Sequence, residues 1–426
     1  MSDTGLRVGA AASPEAPAEA PRRSRLPWWT SAAVVAGVLL VLAIVRVVTG
    51  VGEVSSSGTL GAALAWAMPI ALAGLGGLWS ERAGIVNIGL EGMMILGTWG
   101  AAFGAIHGGP WMGLVGAILG GVVGGIIHAI ATVTFGVDHI VSGVALNIIA
   151  LGAAAFLATR FFSELEGGGS TQSPPLPGLW RVPDNPVAGA FESVEQSDIF
   201  FVSEVGALLR ALTVGVSILT IVGIGLFVAS YWILWRTPFG LRLRSCGESP
   251  AAAESLGVNV YLYKFIAVII SGGLAGLGGG FLAMVASNHF REGQTGGRGY
   301  IGLAAMIFGN WRPGGLLAGS GLFGFMDALQ LRGGGTALHA LLLAIAILLL
   351  AFGLWQVLRS KRTVAGSITI GIAVVVFLGW VLFDTIPDDF TKFAPHLTTL
   401  LVLAFASQRL RMPAADGKVY RKGEGH

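Results

Sequence analysis

The sequence predicts an all-α polytopic membrane protein of about 10–12 transmembrane helices, with an inverted internal repeat and one short re-entrant or half-helix. Three observations predict it. The 426 residues are 54% hydrophobic and only 12% charged, with a mean hydropathy of +0.76. That charged share is about half that of an ordinary soluble domain, too little to cover a soluble surface of this size. Apolar runs of spanning length follow one another along the chain. A glycine-rich hexapeptide occurs twice, letter for letter.

Taken in order, residues 1–25 are rich in Ala, Pro, Ser and Glu and have little to bury, so a disordered cytoplasmic tail is expected. A spanning helix needs about 20 mostly apolar residues. Candidate spans then fall at 28–48, 59–79, 84–106, 111–134, 140–161, 207–235, 261–287, 314–331, 337–358, 364–384 and 394–408. The first is too long for a secretory signal core and lacks a small-residue cleavage site. A shorter apolar piece, 300–309, cannot cross alone and reads as a half-helix shielded by protein. The transmembrane domain is therefore expected over 26–410, with a second cytoplasmic tail at 411–426.

Charge sets the expected orientation. Arg7, Arg22, Arg23 and Arg25 precede the first run, and Arg409, Arg411, Lys418, Arg421 and Lys422 follow the last, which places both termini in the cytoplasm. No folded basic domain accompanies them, so nucleic acid is not an expected partner. The loop 163–206 carries seven acids against Arg181, together with five prolines, and is expected outside. The loop 236–257 holds Arg236, Arg242 and Arg244 and falls inside. On this scheme Arg291 and Arg298 lie outside, against the trend.

The repeat is Leu72 to Gly77 and again Leu274 to Gly279, both Leu-Ala-Gly-Leu-Gly-Gly. A second, looser match follows each copy: Ile88-Gly-Leu through Gly97 and Trp99, then Ile301-Gly-Leu through Gly309 and Trp311. The copies sit on spans of opposite direction, so the repeat is inverted, an arrangement that brackets a substrate pathway in many transporters. Gly120, Gly121, Gly124 and Gly125, and Gly272, Gly276 and Gly280, have the spacing that lets helices approach closely.

Polar residues within spans are costly and tend to face an interior or cavity. Asn87 and Glu91 share a helical face, and either line the pathway or serve structure, with Arg82 as the obvious local partner of Glu91. Asn147 can both donate and accept, as a sugar or base requires. His128 and His339 read as packed helix residues. Trp66, Trp79, Trp99 and Trp311 could stack on a base or anchor the interface. A single cysteine, Cys246, excludes an internal disulfide, and no metal-ligand or catalytic set is apparent.

The stretch 236–257 is the most informative. Ser249 then Pro250 reads as a cap and first helical position, and Gly257 as a stop, giving a helix of about two turns. Alone it would not be stable, so it reads either as a plain connector or as a coupling helix for a separate protein. Thr237-Pro-Phe-Gly240, Arg242, Arg244, Gly247, Glu248, Ser249, Pro250, Ala251, Ala252, Ala253 and Leu256-Gly257 resemble the cytoplasmic signature of ABC-importer permeases of the branched-chain amino acid and simple-sugar superfamily. Glu81 to Met94 is similar to the hallmark of the nucleoside-type branch, as are Gly297 to Ala305 and Pro413 to Tyr420. The resemblance covers about 55–335 and the last span with its tail; the apolar pair at 337–384 departs from it.

That resemblance implies a permease subunit in the bacterial plasma membrane that moves nucleosides or a related ribosyl or simple-sugar solute. It implies ABC ATPase subunits, a second permease subunit and an extracytoplasmic solute-binding lipoprotein as partners, besides membrane lipid, and no cofactor. It places ATPase coupling on Arg242, Arg244, Gly247, Glu248, Ser249, Pro250, Ala251, Ala252 and Gly257, and the pathway is expected at Asn87, Glu91, Asn147 and Trp311. Gly417-Lys418 is followed by Val419, so the chain lacks the Gly-Lys-Ser/Thr of a phosphate loop and ATP must be hydrolysed elsewhere. The rival reading is a self-sufficient secondary transporter driven by an ion gradient; a membrane enzyme is the third.

Overall fold

A computed structural model describes residues 29–391, 393 and 410–423. Contacts divide the chain at Val38 and Leu39. Up to Val38 the described residues are the first turns of helix α1 (Trp29–Thr49), which expose Val34, Val35 and Val38. All other elements belong to the body from Leu39 onward.

That body is helical: α2 (Ser57–Arg82), α3 (Leu90–Ala129), α4 (His139–Phe162), α5 (Pro186–Glu195), α6 (Val202–Thr213), α7 (Ile218–Arg236), α8 (Pro238–Glu248), α9 (Pro250–Ser255), α10 (Val260–Phe281), α11 (Arg298–Phe308), α12 (Pro313–Leu358) and α13 (Thr363–Leu382). Among the described residues, eight runs are long and apolar enough to cross a membrane. Two of these, Leu90–Thr134 and Pro313–Leu358, have 45 and 46 residues, about twice a single crossing. Each is broken once, at Gly109 (φ 80°) and Gly334 (φ 53°), where only glycine takes the left-handed turn cheaply. With those breaks the helices match the expected spans closely, and the expected span 394–408 lies outside the described residues.

Three boundaries are corrected. The span expected at 84–106 begins as helix only at Leu90, because Gly84 (φ 84°) turns the chain and residues 85–89 run back irregularly. The span expected at 207–235 is two elements, α6 and α7, parted where Gly215 (φ 70°) and Ser217 make a turn and Ser217 caps α7. The loop 236–257 holds the eleven-residue helix α8 besides the expected short one, started by Thr237, whose Oγ1 accepts from the Gly240 N–H at 3.2 Å, with Pro238 first in the helix.

The repeat governs the core. α2 and α10 run antiparallel in contact: a Cβ on Gly76 would strike the Ser271 carbonyl, and one on Gly278 the Pro69 carbonyl. Each repeat helix also packs on the following helix of the other copy. Gly276 of α10 lies against Gly97 of α3, and Gly74 of α2 against Gly302 of α11, both too close for any side chain. Small residues thus let backbones touch, which drives helix association in lipid, where hydrophobic burial between helices supplies little. The second half of α3 joins the same crossing through Gly121, set against Gly272 and Gly276.

Candidate functional site

Two places gather the polar residues. The first lies within the bundle, where α3 and α11 both begin. α3 starts at Leu90, level with Gly77 of α2, whose missing Cβ faces the Leu90 side chain; α11 starts at Arg298, after an irregular segment that leaves the far end of α10. The two helix N-termini therefore approach each other within the protein, and their free N–H groups need acceptors there. Glu91, 7% exposed, accepts from Gly297 N at 2.9 Å and Gly299 N at 2.7 Å, so a side chain of one copy caps the helix of the other. Asn147 serves α3 likewise: its Oδ1 accepts from Gly92 N at 2.7 Å, and its Nδ2 donates to Ile88 O at 3.0 Å and Tyr300 Oη at 2.8 Å. Asn87 donates from Nδ2 to Ser271 Oγ at 2.8 Å on α10.

The structure thus brings Asn87, Glu91 and Asn147 together. The local pairing of Glu91 with Arg82 does not occur; Arg82 instead donates to the Trp311 carbonyl at 2.6 and 3.1 Å and stacks over Trp235. Trp311 stands apart from the other three, buried at the Arg82 end of α2, where its indole N–H donates to Glu81 at 2.5 Å. Arg298, a basic residue that stood against the charge trend, begins α11. It pairs with Asp327 of α12 at 3.2 Å and lies 4.7 Å over Trp66, so its charge is met within the bundle. Tyr300, within the Gly297 to Ala305 motif, joins the cluster through Asn147, and with 45% of its surface exposed it is the open member. His128 and His339 are held by Ser142 and Val86, and by Trp380.

The second place is the end of the bundle that carries α8 and α9. α9 starts at Pro250 and stops at Gly257 (φ 80°), but Ser249 makes no side-chain cap; its N–H closes α8 onto Ser245 O at 2.9 Å. Gly247 lies against the Arg82 carbonyl and Gly84, which ties α8 to the end of α2. Arg244 donates to Leu234 O at 2.9 Å and stacks over Trp235, whereas Leu241 and Leu256 are exposed at 62% and 84%. Burial pushes the Cys246 thiol up to about 11, so this cysteine is inert packing rather than a nucleophile.

At the opposite end a cavity of about 440 Å³ opens between the start of α2, the 180–220 segment and α12. It is lined by Arg181, Arg210 and Arg332, with Ser57, Ser217 and Thr220, and its volume is within the range of small-molecule sites. Among the described residues no cluster of three His, Cys, Asp or Glu could hold a metal ion.

Comparison with known proteins identifies the family. Residues 59–352 match the family model described as branched-chain amino acid transport system, permease component. The chain is 34% identical to the guanosine ABC transporter permease protein NupQ of Bacillus subtilis, over 85% of this chain and 96% of that protein. It is 32% identical to the nucleoside ABC transporter permease protein NupC of Lactococcus lactis over the same shares. It is 34% identical to the putative glucose ABC transporter permease protein TsgC13 of Haloferax volcanii, over 65% of this chain and 78% of that protein. No solved structure matches. The chain belongs to the family of branched-chain amino acid transport system permease components.

Proposed function

We propose that this chain is the nucleoside-translocating permease of an ATP-driven importer, with its pathway beside the facing starts of α3 and α11. Likeness to guanosine and nucleoside permeases along nearly their whole length carries the reading. The site supports it physically. Glu91 is consumed in capping α11, Arg298 in pairing with Asp327 and Asn147 in its bonds to Gly92, Ile88 and Tyr300, so the group that remains open is the neutral, hydrogen-bonding Tyr300. Such a lining suits an uncharged solute rich in hydroxyl and ring-nitrogen groups.

The end bearing α8 and α9 faces the cytoplasm in this reading, with both termini, and the arginine-lined cavity faces outward. Arg242, Arg244, Gly247, Glu248, Ser249, Pro250, Ala251, Ala252 and Gly257 form or support the surface that ATPase subunits grip. A second permease subunit and an extracytoplasmic binding lipoprotein complete the assembly, and residues 26–410 form the membrane domain. ATP-driven closure of the partners would push α9 and rock the interlocked repeats about the Gly97–Gly276 and Gly74–Gly302 crossings.

The test is uptake of labelled guanosine into proteoliposomes carrying the complete transporter. Uptake should need ATP inside and should vanish in Ala252→Glu and Gly257→Val, which still reach the membrane. Uptake that follows a proton or sodium gradient without ATP, or normal uptake in both variants, overturns the proposal.

A further inference from the structure

The segment from Leu410 to Gly423 forms no helix, yet it is fastened along its length. It starts beside the end of α11, where Arg411 N donates to Asn310 Oδ1 at 2.7 Å. It then passes α8: Ala414 N donates to Glu248 Oε2 at 3.3 Å and Ala415 N to the Gly247 carbonyl at 2.9 Å. After a turn at Gly417 (φ 75°) it reaches α9, where Tyr420 donates its hydroxyl to Glu254 Oε2 at 2.6 Å and Gly423 N approaches the same oxygen at 3.5 Å. The Tyr420 ring lies 5.5 Å from Tyr261 and packs with the buried Cys246, Ala253 and Val260. In the turn Asp416 is buried and faces Glu81 and Arg82 of α2 and Lys264 of α10.

α9 has six residues, far too few to hold a helix or an orientation by itself. Its own remaining hydrogen bonds are local: Ser255 Oγ reaches Ala252 O at 2.9 Å, and Gly257 N reaches Glu254 O at 2.8 Å. The hydrogen bonds that join α9 to a distant part of the chain come from the C-terminal segment. Leu256, at 84% exposure, and Ala252 on the short helix remain exposed with the segment in place. The strap therefore supports the helix without covering its outward face.

We propose that residues 410–423 are a built-in strap that fixes α9 in the orientation a partner ATPase engages, with Tyr420 as its positioning residue. The proposal rests on reading α8 and α9 as the ATPase-docking site. Tyr420 touches neither solute nor nucleotide; it acts through Glu254. Loss of its hydroxyl should loosen the transmission of ATP hydrolysis into transport more than it lowers hydrolysis.

The test measures guanosine uptake and ATP hydrolysis together in proteoliposomes of the complete transporter. Tyr420→Phe keeps the ring that packs on Tyr261 and removes only the hydroxyl. It should lower solute moved per ATP about fivefold, Glu254→Gln should do the same, and the double variant should be no worse than either single one. A merely structural tail would lower both rates in proportion and leave the ratio unchanged, and that result overturns the strap. A photo-crosslinker on Ala252→Cys, in a Cys246→Ser parent, separates the two readings. Labelling of the ATPase with an unchanged ratio in the Tyr420 variant removes the strap alone; absence of labelling removes the docking site beneath it.

Discussion

Glu91→Gln tests the central feature of the α3–α11 junction, the carboxylate of one repeat that caps the half-helix of the other. The substitution keeps the size of the side chain and removes its charge. Two N–H groups, of Gly297 and Gly299, now share two oxygens at 2.9 and 2.7 Å. In glutamine one of those oxygens becomes an NH2, a donor set against a donor, so one of the two N–H groups loses its acceptor. A hydrogen bond to a charged group contributes about 1.5–3 kcal/mol, and an abandoned buried donor costs about 1–3 kcal/mol. Loss of negative charge at a helix N-terminus adds about 0.3–1 kcal/mol, with overlap among the three.

A net loss of about 2–4 kcal/mol follows. At about 1.4 kcal/mol per tenfold it shifts the equilibrium between docked and released α11 roughly 30- to several hundred-fold. Amide hydrogen exchange of the purified transporter in nanodiscs reads that shift directly, because exchange reports local opening. Protection over 297–301 should fall by that factor in Glu91→Gln, whereas α4 and α13 should be unchanged. Equal protection of 297–301 in both proteins would refute the capping argument, whatever happened to transport.

Two further outcomes are expected. Gly97→Val places a branched side chain where Gly276 leaves no room, so overpacking of about 1–3 kcal/mol at the central crossing should lower the yield of folded protein in size-exclusion profiles, and a monodisperse wild-type yield would count against the crossing as the packing centre. Asp416 should make strap docking sensitive to pH: burial pushes its carboxyl up to about 7 against about 3.9 for a free aspartate, so the released strap ionises first. Docking is then strongest at low pH, weakens as pH rises towards about 7 and is level above that, with Glu81, Arg82 and Lys264 as the facing groups. A spin label at Gly423→Cys, in a Cys246→Ser parent, should grow more mobile from pH 5 to 7, and Asp416→Asn should abolish the trend; the same slope in both would remove Asp416 as its source.

The spans were legible because hydropathy over about 20 residues is set by the solvent a helix must cross, independent of its neighbours. The inverted repeat was legible because close backbone contact demands glycine at the same places in both copies, as at Gly76 and Gly278. What sequence could not show was which ends meet. Asn87, Glu91 and Asn147 stood out as polar residues in apolar runs, but their partners, Gly297, Gly299, Tyr300 and Ser271, lie up to about two hundred residues away and carry ordinary side chains or none. Glu91 beside Arg82 looked like a local ion pair because spacing alone was visible; the chain reversal at Gly84 sends the two to different neighbours. The break between α6 and α7 was hidden because Val214 and Val216 keep the run apolar across a turn that depends on Gly215.

The two polar places are joined by contacts that leave little slack. Gly247 of α8 rests on the Arg82 carbonyl and Gly84, so any displacement of the α8–α9 end meets the end of α2 without an intervening side chain. Arg82 and Glu81 in turn hold both faces of Trp311, carbonyl and indole, and Trp311 closes α11 through its N–H to the Met306 carbonyl at 3.1 Å. The other end of α11 is the helix start that Glu91 caps. Backbone contacts and buried hydrogen bonds of this kind break rather than stretch, since close-packed interiors deform little. A push on α9 therefore has two outcomes at the α3–α11 junction: α11 moves with α2 as one unit, or the Glu91 cap lets go. Because the cap is made by the opposite repeat, its release would part the two copies at the α3–α11 junction. The charged residues of this region, Glu91 and Arg298, are held at a helix junction and in an ion pair, Asn147 is buried in its own hydrogen bonds, and the neutral Tyr300 is the group of the cluster left exposed.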